Sequence, residues 1–124
     1  MINRAIQLAN ENQTEYNQKV GCVITDKRGN VLSEGMNSNK SHPIQARFAK
    51  LVGKEEKIFL HAEISALVKC RGEPHTLYVA RVTQAGHMGR AKPCSICEEA
   101  IRQSGIEFVV YTDADEMVTR YEVP

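Results

Sequence analysis

The sequence predicts an α/β fold in which helices pack on the faces of a partly parallel sheet. Two observations lead to this fold class: a β-hairpin pattern lies in the first 36 residues, and helical and strand patterns alternate after residue 60. A helix that links two strands of one sheet usually brings them parallel. With 124 residues, 42% of them apolar and 25% charged, the chain fits one domain over residues 1–124.

A helix and the hairpin account for the N-terminal part of the chain. Apolar residues recur at helical spacing from Ile2 to Ala9, which predicts a helix over residues 2–16. β-Branched residues predict a strand over 20–25, and a second strand over 31–35 follows a turn that contains glycine.

The segment between residues 37 and 58 gives weaker signals. It opens with a polar loop, and the helical spacing of Ile44 and Phe48 then predicts a helix that stops at Gly53. We expect these two apolar side chains, together with Leu51, to pack in the core or in a contact between subunits.

Two helices and three strands are predicted after residue 60. Proline is tolerated in the first turn of a helix and glycine favours its C-terminal end, so Pro93 and Gly105 bound one of these helices. In chain order, the predicted elements are a helix over 61–70, a strand over 76–82, a glycine-bearing loop over 84–92, a helix from Pro93 to 102–104, a strand over 107–112 and an antiparallel return strand over 117–123.

Charge and composition exclude several classes of protein. The net charge of +1 and the pI near 7.7 give no electrostatic footprint for long nucleic acid. The first 13 residues are too polar for a signal peptide, and no apolar run approaches the roughly 18 residues of a membrane span. We therefore expect a cytoplasmic protein without a membrane partner. In that reducing compartment, cysteines serve as core thiols or metal ligands rather than as disulfides.

Cys94 and Cys97 form a pattern typical of a metal site. Residues three apart on a helix lie on the same side, so both sulfurs can reach one ion. His61 opens another predicted helix, and a set of two thiolates and one imidazole suits zinc. Three protein ligands leave a fourth position open, which is typical of catalytic zinc. Both ligand groups lie at predicted helix N-termini, where the backbone dipole favours negative charge.

Glu63 follows the histidine by two residues and therefore does not share its helix face. Zinc lowers the pKa of water to about 7, and a neighbouring carboxylate can then carry the proton to a ring nitrogen and a leaving amine. We expect Glu63 to perform this general acid–base step. The competing interpretation is a solvated carboxylate at a helix start, which the dipole also favours.

His61-Ala62-Glu63, taken with Pro93-Cys94-Ser95-Ile96-Cys97, resembles the signature of the zinc-dependent cytidine/deoxycytidylate deaminase superfamily. The resemblance implies a three-layer α/β/α cytidine deaminase-like fold around a mixed, mainly five-stranded sheet. It also implies Zn2+ as cofactor and hydrolytic loss of ammonia at C4 of cytosine or C6 of adenine.

Further matches imply where the substrate binds. Gly35-Met36-Asn37 resembles the Gly-x-Asn of the family, which implies that Asn37 hydrogen-bonds the ribose or base. Ala62, inside the histidine motif, is expected to contact substrate as well. Three cations flank the loop before the zinc cysteines, where a substrate phosphate can reach them; they are Arg81, Arg90 and Lys92. Solvated loop charges are the competing interpretation for these three.

Other chemistry-bearing residues give weaker signals. Cys22 and Cys70 lie on apolar faces and are expected to be inert core thiols. No ligand spacing supports a second metal site, so three histidines are expected to be surface loop residues; they are His42, His75 and His87. A second, weaker cluster of positive groups follows Asn37 and comprises Lys40, His42 and Arg47.

Three functions compete. The first is deamination of a free cytosine nucleotide or nucleoside, with deoxycytidylate as first choice, and near-neutral charge and small size favour it. The second is editing of cytosine or adenine within RNA or DNA, because His61-Ala62-Glu63-Ile64 is similar to the tRNA adenosine deaminases. An antiparallel last strand would resemble the free-nucleoside and nucleotide enzymes of the superfamily more than the nucleic-acid editors. The third is a non-catalytic zinc-stabilised nucleotide-binding module.

The resemblance also implies a homo-oligomer, because members of this superfamily are commonly dimers or larger assemblies. The predicted helical face from Ile44 to Val52 is the candidate contact.

Overall fold

The computed structural model describes residues 1–14 and 18–124 and confirms the predicted α/β fold class. The helices are α1 (Ile2–Glu11), α2 (Pro43–Leu51), α3 (Ala62–Lys69) and α4 (Ser95–Ser104). The strands are β1 (Lys19–Thr25), β2 (Val31–Met36), β3 (Thr76–Val82), β4 (Met88–Gly89), β5 (Phe108–Thr112) and β6 (Val118–Glu122), with a short 3-10 helix at Ala114–Glu116. Within the described ranges, none of the helices has the length and apolar character needed to cross a membrane.

The strands form one mixed sheet in the order β2-β1-β3-β5-β6, and β4 pairs with β3 beside this path. β3 and β5 run parallel, with α4 between them in the chain, whereas the other pairs are antiparallel. The predicted antiparallel return strand is therefore confirmed as β6.

Two apolar cores lie on opposite faces of the sheet. Successive strand side chains point to opposite faces, so Val23 packs under α1 while its neighbours Cys22 and Ile24 pack under α2, α3 and α4. Ala80 of β3 joins the α1 side, and the buried side chains beside it join the larger core. The result is the expected three-layer arrangement.

A glycine of β2 sets how closely α3 approaches the sheet. A Cβ at Gly35 would lie 2.5 Å from Ala62 O and 2.5 Å from Ala66 N, so only glycine allows this contact. The neighbouring Ser33 hydroxyl, which is buried, donates to Ala66 O at 2.8 Å. These contacts fix the N-terminal half of α3, which carries the histidine motif.

Three predicted element boundaries are wrong. The first helix ends at Glu11 because Asn12 turns extended and uses its side chain to bond other segments; residues 15 and 16 of the prediction lie outside the described residues. The predicted loop over 84–92 contains the short strand β4, which pairs with β3. The last helix begins after Cys94, two residues later than predicted, because Cys94 is extended and forms its N-cap.

Two histidines that were expected to be loop residues have structural contacts. His42 caps α2, where its Nδ1 accepts a hydrogen bond from Ile44 N at 3.1 Å. His75 is partly buried and contacts Thr76 Oγ1 at 2.8 Å and Glu107 Oε2 at 3.2 Å. His87 is exposed, as predicted.

The two cysteines outside the motif behave as core thiols to different degrees. Cys22 is fully buried, and burial raises the pKa of its thiol well above the usual value. Cys70 is the half-buried C-cap of α3 and packs against the larger core, and burial raises its pKa too. Neither thiol is activated as a nucleophile, because the thiolate is disfavoured at both positions.

Candidate active site

The N-termini of α3 and α4 bring the three predicted zinc ligands together. His61 and Cys94 are the N-cap residues of their helices, and Cys97 is the third residue of α4. His61 Nδ1 lies 3.3 Å from Cys97 Sγ and 3.5 Å from Cys94 Sγ. Both ligand groups thus lie at helix N-termini, where the helix dipole favours negative charge.

The donor set fits a zinc ion. The nitrogen and the two sulfurs all lie within 4.8 Å of one another. Ligands of tetrahedral zinc, at about 2.3 Å for sulfur and 2.0–2.1 Å for nitrogen, lie roughly 3.6–3.8 Å apart, close to the separations observed. Cys97 is buried, whereas His61 and Cys94 are half-buried. Among the residues that the structure describes, no other group of three or more His, Cys, Asp or Glu side chains is placed to hold a metal ion.

The two thiols have opposite pKa shifts. Hydrogen bonds from the Cys97 thiol and from His61 lower the pKa of Cys94 to about 3. Donation of that same hydrogen bond to Cys94, together with burial, raises the pKa of Cys97 well above its usual value. The hydrogen bond to Cys94 also raises the pKa of His61. These shifts favour the thiolate at Cys94 and the thiol at Cys97, and a metal that binds both sulfurs releases the Cys97 proton.

Glu63 lies in the first turn of α3 and is only 6% exposed. Burial raises the pKa of its carboxyl, and the nearby His61 partly opposes that shift. A raised pKa makes the carboxylate a stronger base for a proton from water, and burial beside His61 places it where general acid–base work would occur.

A cavity of about 700 Å³ opens in front of two of the three ligands, His61 and Cys94, while Cys97 is buried behind them and is not part of its lining. That volume lies within the usual range for small-molecule sites, about 300–1,000 Å³. Eight residues singled out in the sequence line it, namely Asn37, His61, Ala62, Glu63, Arg81, Arg90, Lys92 and Cys94. The residues of the weaker cluster, Lys40, His42 and Arg47, do not line this cavity.

Hydrogen bonds to neighbouring segments of the chain hold the Asn37 side chain in place. Its Oδ1 accepts from Val20 N at 3.0 Å and from Asn12 Nδ2 at 2.6 Å. Its Nδ2 donates to Gln18 O at 3.0 Å. These bonds use both lone pairs of the oxygen and one of the two N–H groups. Sequence reasoning missed Asn12, which ties the end of α1 to the cavity wall.

Arg81 is built into the cavity wall between three strands. Its backbone N–H donates to Thr112 Oγ1 at 3.1 Å, and that hydroxyl donates to Gly89 O at 2.8 Å. The absence of a side chain on Gly89 makes room for the arginine stem, since a Cβ there would lie 3.3 Å from Arg81 Nε. Among the side chains that the structure describes, Arg81 Nε is the buried nitrogen that makes no hydrogen bond.

The remaining cations of the cavity are more exposed. Arg90 and Lys92 are exposed, and Arg90 lies 3.9 Å from Asp113, too far for a strong ion pair. Lys57, which the sequence analysis missed, adds a fourth positive charge.

The chain was compared with known protein families. The model of the cytidine and deoxycytidylate deaminase zinc-binding region matches residues 1–113. No curated protein matches the sequence significantly.

Solved structures of deaminases share the fold. The dCMP deaminase of cyanophage S-TIM5, in complex with dCMP and dUMP, has a TM-score of 0.60 at 21% identity, covering 90% of this chain and 77% of its own. The cytidine deaminase of Mycobacterium leprae has a TM-score of 0.59 at 16% identity, covering 97% and 89%. That of Mycobacterium tuberculosis has a TM-score of 0.57 at 19% identity, covering 92% and 82%.

Proposed function

We propose the substrate of this chain from one premise: the chain belongs to the cytidine and deoxycytidylate deaminase family. It is a zinc-dependent deaminase of cytosine compounds, and its His/Cys/Cys group is positioned to bind the ion. Within that class, our proposed substrate is a free cytosine nucleotide, with deoxycytidylate as first choice.

The charge of the cavity wall carries the proposal. Four cations, Lys57, Arg81, Arg90 and Lys92, line the same cavity as the candidate metal ligands. The buried Nε of Arg81 lacks a hydrogen-bond partner within the described residues, and a buried donor without an acceptor is unfavourable. Because Arg81 also lines the cavity, its guanidinium group would bind a substrate phosphate there through charge-assisted hydrogen bonds.

The proposed chemistry divides between the metal ligands and Glu63. His61, Cys94 and Cys97 would hold the zinc ion, which lowers the pKa of water to about 7 when bound. Glu63 accepts a proton from the attacking water and delivers it to N3 of the cytosine ring. It then takes the remaining proton from the hydroxyl formed at C4 and gives it to the amino group, so that the C4–N bond breaks, ammonia leaves and the uracil form remains.

Asn37 and Ala62 are proposed to orient the substrate. Among the described residues, one N–H of the Asn37 amide makes no hydrogen bond, and it would donate to a hydroxyl of the sugar or an oxygen of the base. Ala62 is 1% exposed and lies beside Glu63, where its small side chain leaves room for a flat base.

Two observations support a free nucleotide over a base within RNA or DNA. β6 runs antiparallel to β5, an arrangement that resembles the free-nucleoside and nucleotide enzymes of the superfamily more than the nucleic-acid editors. The net charge of +1 provides little attraction for a polyanion beyond the cavity itself.

Ammonia release from a substrate panel tests the proposal. The panel contains deoxycytidine, cytidine, their monophosphates, adenosine, and a short RNA and DNA. We expect deoxycytidylate to give the highest kcat/KM. Activity confined to oligonucleotides would contradict the proposal, and zinc binding without turnover of any compound would favour a binding module.

Arg81→Gln separates the phosphate contact from the chemistry. We expect KM for deoxycytidylate to rise about tenfold or more with kcat little changed, since one charge-assisted hydrogen bond contributes about 1.5–3 kcal/mol. Deoxycytidine should be unaffected by this change. The matched control is Arg47→Gln, which removes an exposed charge on α2 outside the cavity.

We also propose that the chain forms a homo-oligomer. Leu51 at the end of α2 is 58% exposed, although its helical spacing was typical of a buried or contact residue. Light scattering on the purified protein should give a mass of at least two chains, and Leu51→Lys should lower it. A monomer at micromolar concentration would contradict the proposal.

A further inference from the structure

A buried amide on α2 contacts the backbone of the candidate histidine ligand. Gln45 is 0% exposed, although glutamine is mostly an exposed residue. Its Oε1 accepts a hydrogen bond from His61 N at 3.1 Å, and its Nε2 donates to Lys57 O at 3.4 Å. One side chain therefore bonds both ends of the five-residue segment 57–61.

His61 needs such an acceptor because of its place in α3. An N-cap residue has no partner for its N–H within its own helix. In many helices a Glu or Gln at the third helical position bends back to accept from it. Here that position is Ile64, which is buried, and Glu63 stands one place earlier, at the cavity. Gln45 supplies the missing acceptor from another helix, so the His61 N–H does not need the Glu63 carboxylate.

The segment that Gln45 holds forms part of the cavity wall. Residues 56–61 all line the cavity. Their other edge pairs with the 38–42 segment, where Leu60 N donates to Lys40 O at 3.0 Å and Ser38 N donates to Leu60 O at 3.0 Å. His42 N also donates to Ile58 O at 3.3 Å, and His42 caps α2 itself. On the buried side of the same segment, Gln45 adds its hydrogen bonds to Lys57 O and His61 N.

We propose that Gln45 is a positioning residue for the metal site. Its hydrogen bond to His61 N fixes the backbone of His61. The position of the imidazole follows from that backbone, so that Nδ1 faces the sulfurs of Cys94 and Cys97. This inference rests on the proposed role of His61 as a zinc ligand. Residues that orient metal ligands typically change metal affinity or activity by about 10–100-fold when they are mutated.

Zinc affinity, measured by chelator competition, tests the proposal. Gln45→Met keeps the length and apolar bulk of the side chain but removes the acceptor. We expect zinc affinity to fall about tenfold or more and the ligand-field bands of the cobalt-substituted protein to shift. Gln45→Glu keeps an oxygen opposite His61 N and should retain an affinity closer to that of the unchanged protein.

A matched variant controls for packing. Phe48→Leu loosens the same buried face of α2 without touching His61, and its zinc affinity and cobalt spectrum should stay unchanged. Equal zinc affinity in Q45M and the unchanged protein would overturn the proposal, as would equal losses in Q45M and F48L. If Q45M does not fold, Q45E provides the test. A Q45E protein that folds but shows no measurable zinc binding in competition with the chelator would also overturn the proposal.

His61→Ala separates this proposal from the one on which it rests. If H61A keeps its zinc affinity, the ligand assignment is wrong. If H61A loses zinc while Q45M does not, the ligand assignment stands and only the role of Gln45 is wrong.

Discussion

The two faces of the sheet differ in what they bury. Under α1 the core is small and apolar, and the charged contact of that helix, between Arg4 and Glu34, lies at the surface. The opposite face also buries polar groups, among them Gln45, Glu63 and the Cys97 thiol. Burying polarity lowers stability unless each group is bonded. Buried polar groups are concentrated under α2, α3 and α4, and we therefore expect the catalytic site on this face of the sheet.

Both faces nevertheless use the same packing device. A glycine of the sheet lies under each helix: Gly21 faces Ala5 and Ala9 of α1, and Gly35 faces Ala62 and Ala66 of α3. The close approach is therefore not specific to the site. What differs is what each helix carries, since α1 holds apolar side chains and α3 holds Glu63 beside the metal site. Variants placed symmetrically on the two faces should separate stability from activity.

The largest effect is expected from the buried ligand. Cys97→Ser should abolish stoichiometric zinc and destabilise the domain, because metal binding is coupled to folding. Zinc content by elemental analysis and thermal unfolding measure the two losses. Cys22→Ala is the matched control: it removes another fully buried thiol but should leave the zinc content unchanged. Stoichiometric zinc in C97S would show that the ligand set is wrong.

Turnover should respond next most strongly to Glu63. Glu63→Gln removes the proton carrier and is expected to lower kcat by about 10²–10⁴-fold. Zinc content should be kept, and unfolding should not occur earlier, because the variant no longer buries an ionisable group. Glu98→Gln is the control, since Glu98 occupies the first turn of α4 but is exposed. Substantial residual turnover in E63Q would refute the proton-transfer role.

Much of this site was predictable because its residues form short local patterns. The histidine motif and the cysteine pair each lie at a helix start, and the spacing alone places the ligands near N-termini. Asn37, Arg81 and Lys92, predicted to bind substrate, line the cavity.

Supporting residues were missed because their partners are distant in sequence. Gln45 lies 16 residues before His61, and Asn12 lies 25 residues before Asn37. A polar residue in a helix normally predicts a solvated position. The true buried face of α2 is Gln45, Phe48 and Ala49, whereas Leu51 is exposed. The boundary of α1 failed for the same reason, since Asn12 leaves the helix to bond across to the cavity wall.

The glycine pair gives an effect of intermediate size. Gly35→Ala and Gly21→Ala each force a Cβ against helix backbone, which typically lowers the free energy of unfolding by about 1–3 kcal/mol. Only G35A should also reduce kcat, because it displaces α3 with Glu63. Urea unfolding and ammonia release measure the two quantities. If G21A reduced kcat as much as G35A at equal stability, the two faces would not be functionally distinct.

The smallest effect is expected at the surface of the α1 face. The hydrogen bonds from Arg4 lower the pKa of Glu34, so this contact stabilises the fold above the unfolded carboxyl pKa and is lost as pH falls through the folded one. Glu34→Gln should slightly reduce the fall in the free energy of unfolding as the pH is lowered, while kcat stays unchanged. A changed kcat would mean that this ion pair communicates with the site. Unfolding measured from pH 3 to pH 7 gives the comparison.

The local structure around zinc in the purified, fully loaded protein tests the account most directly. X-ray absorption at the zinc edge should show two sulfur neighbours at about 2.3 Å and two nitrogen or oxygen neighbours at about 2.0–2.1 Å. One of the lighter neighbours would be exchangeable solvent. Three or four sulfur neighbours, or a shell in which the Glu63 carboxylate takes the solvent position, would contradict a hydrolytic site built by His61, Cys94 and Cys97.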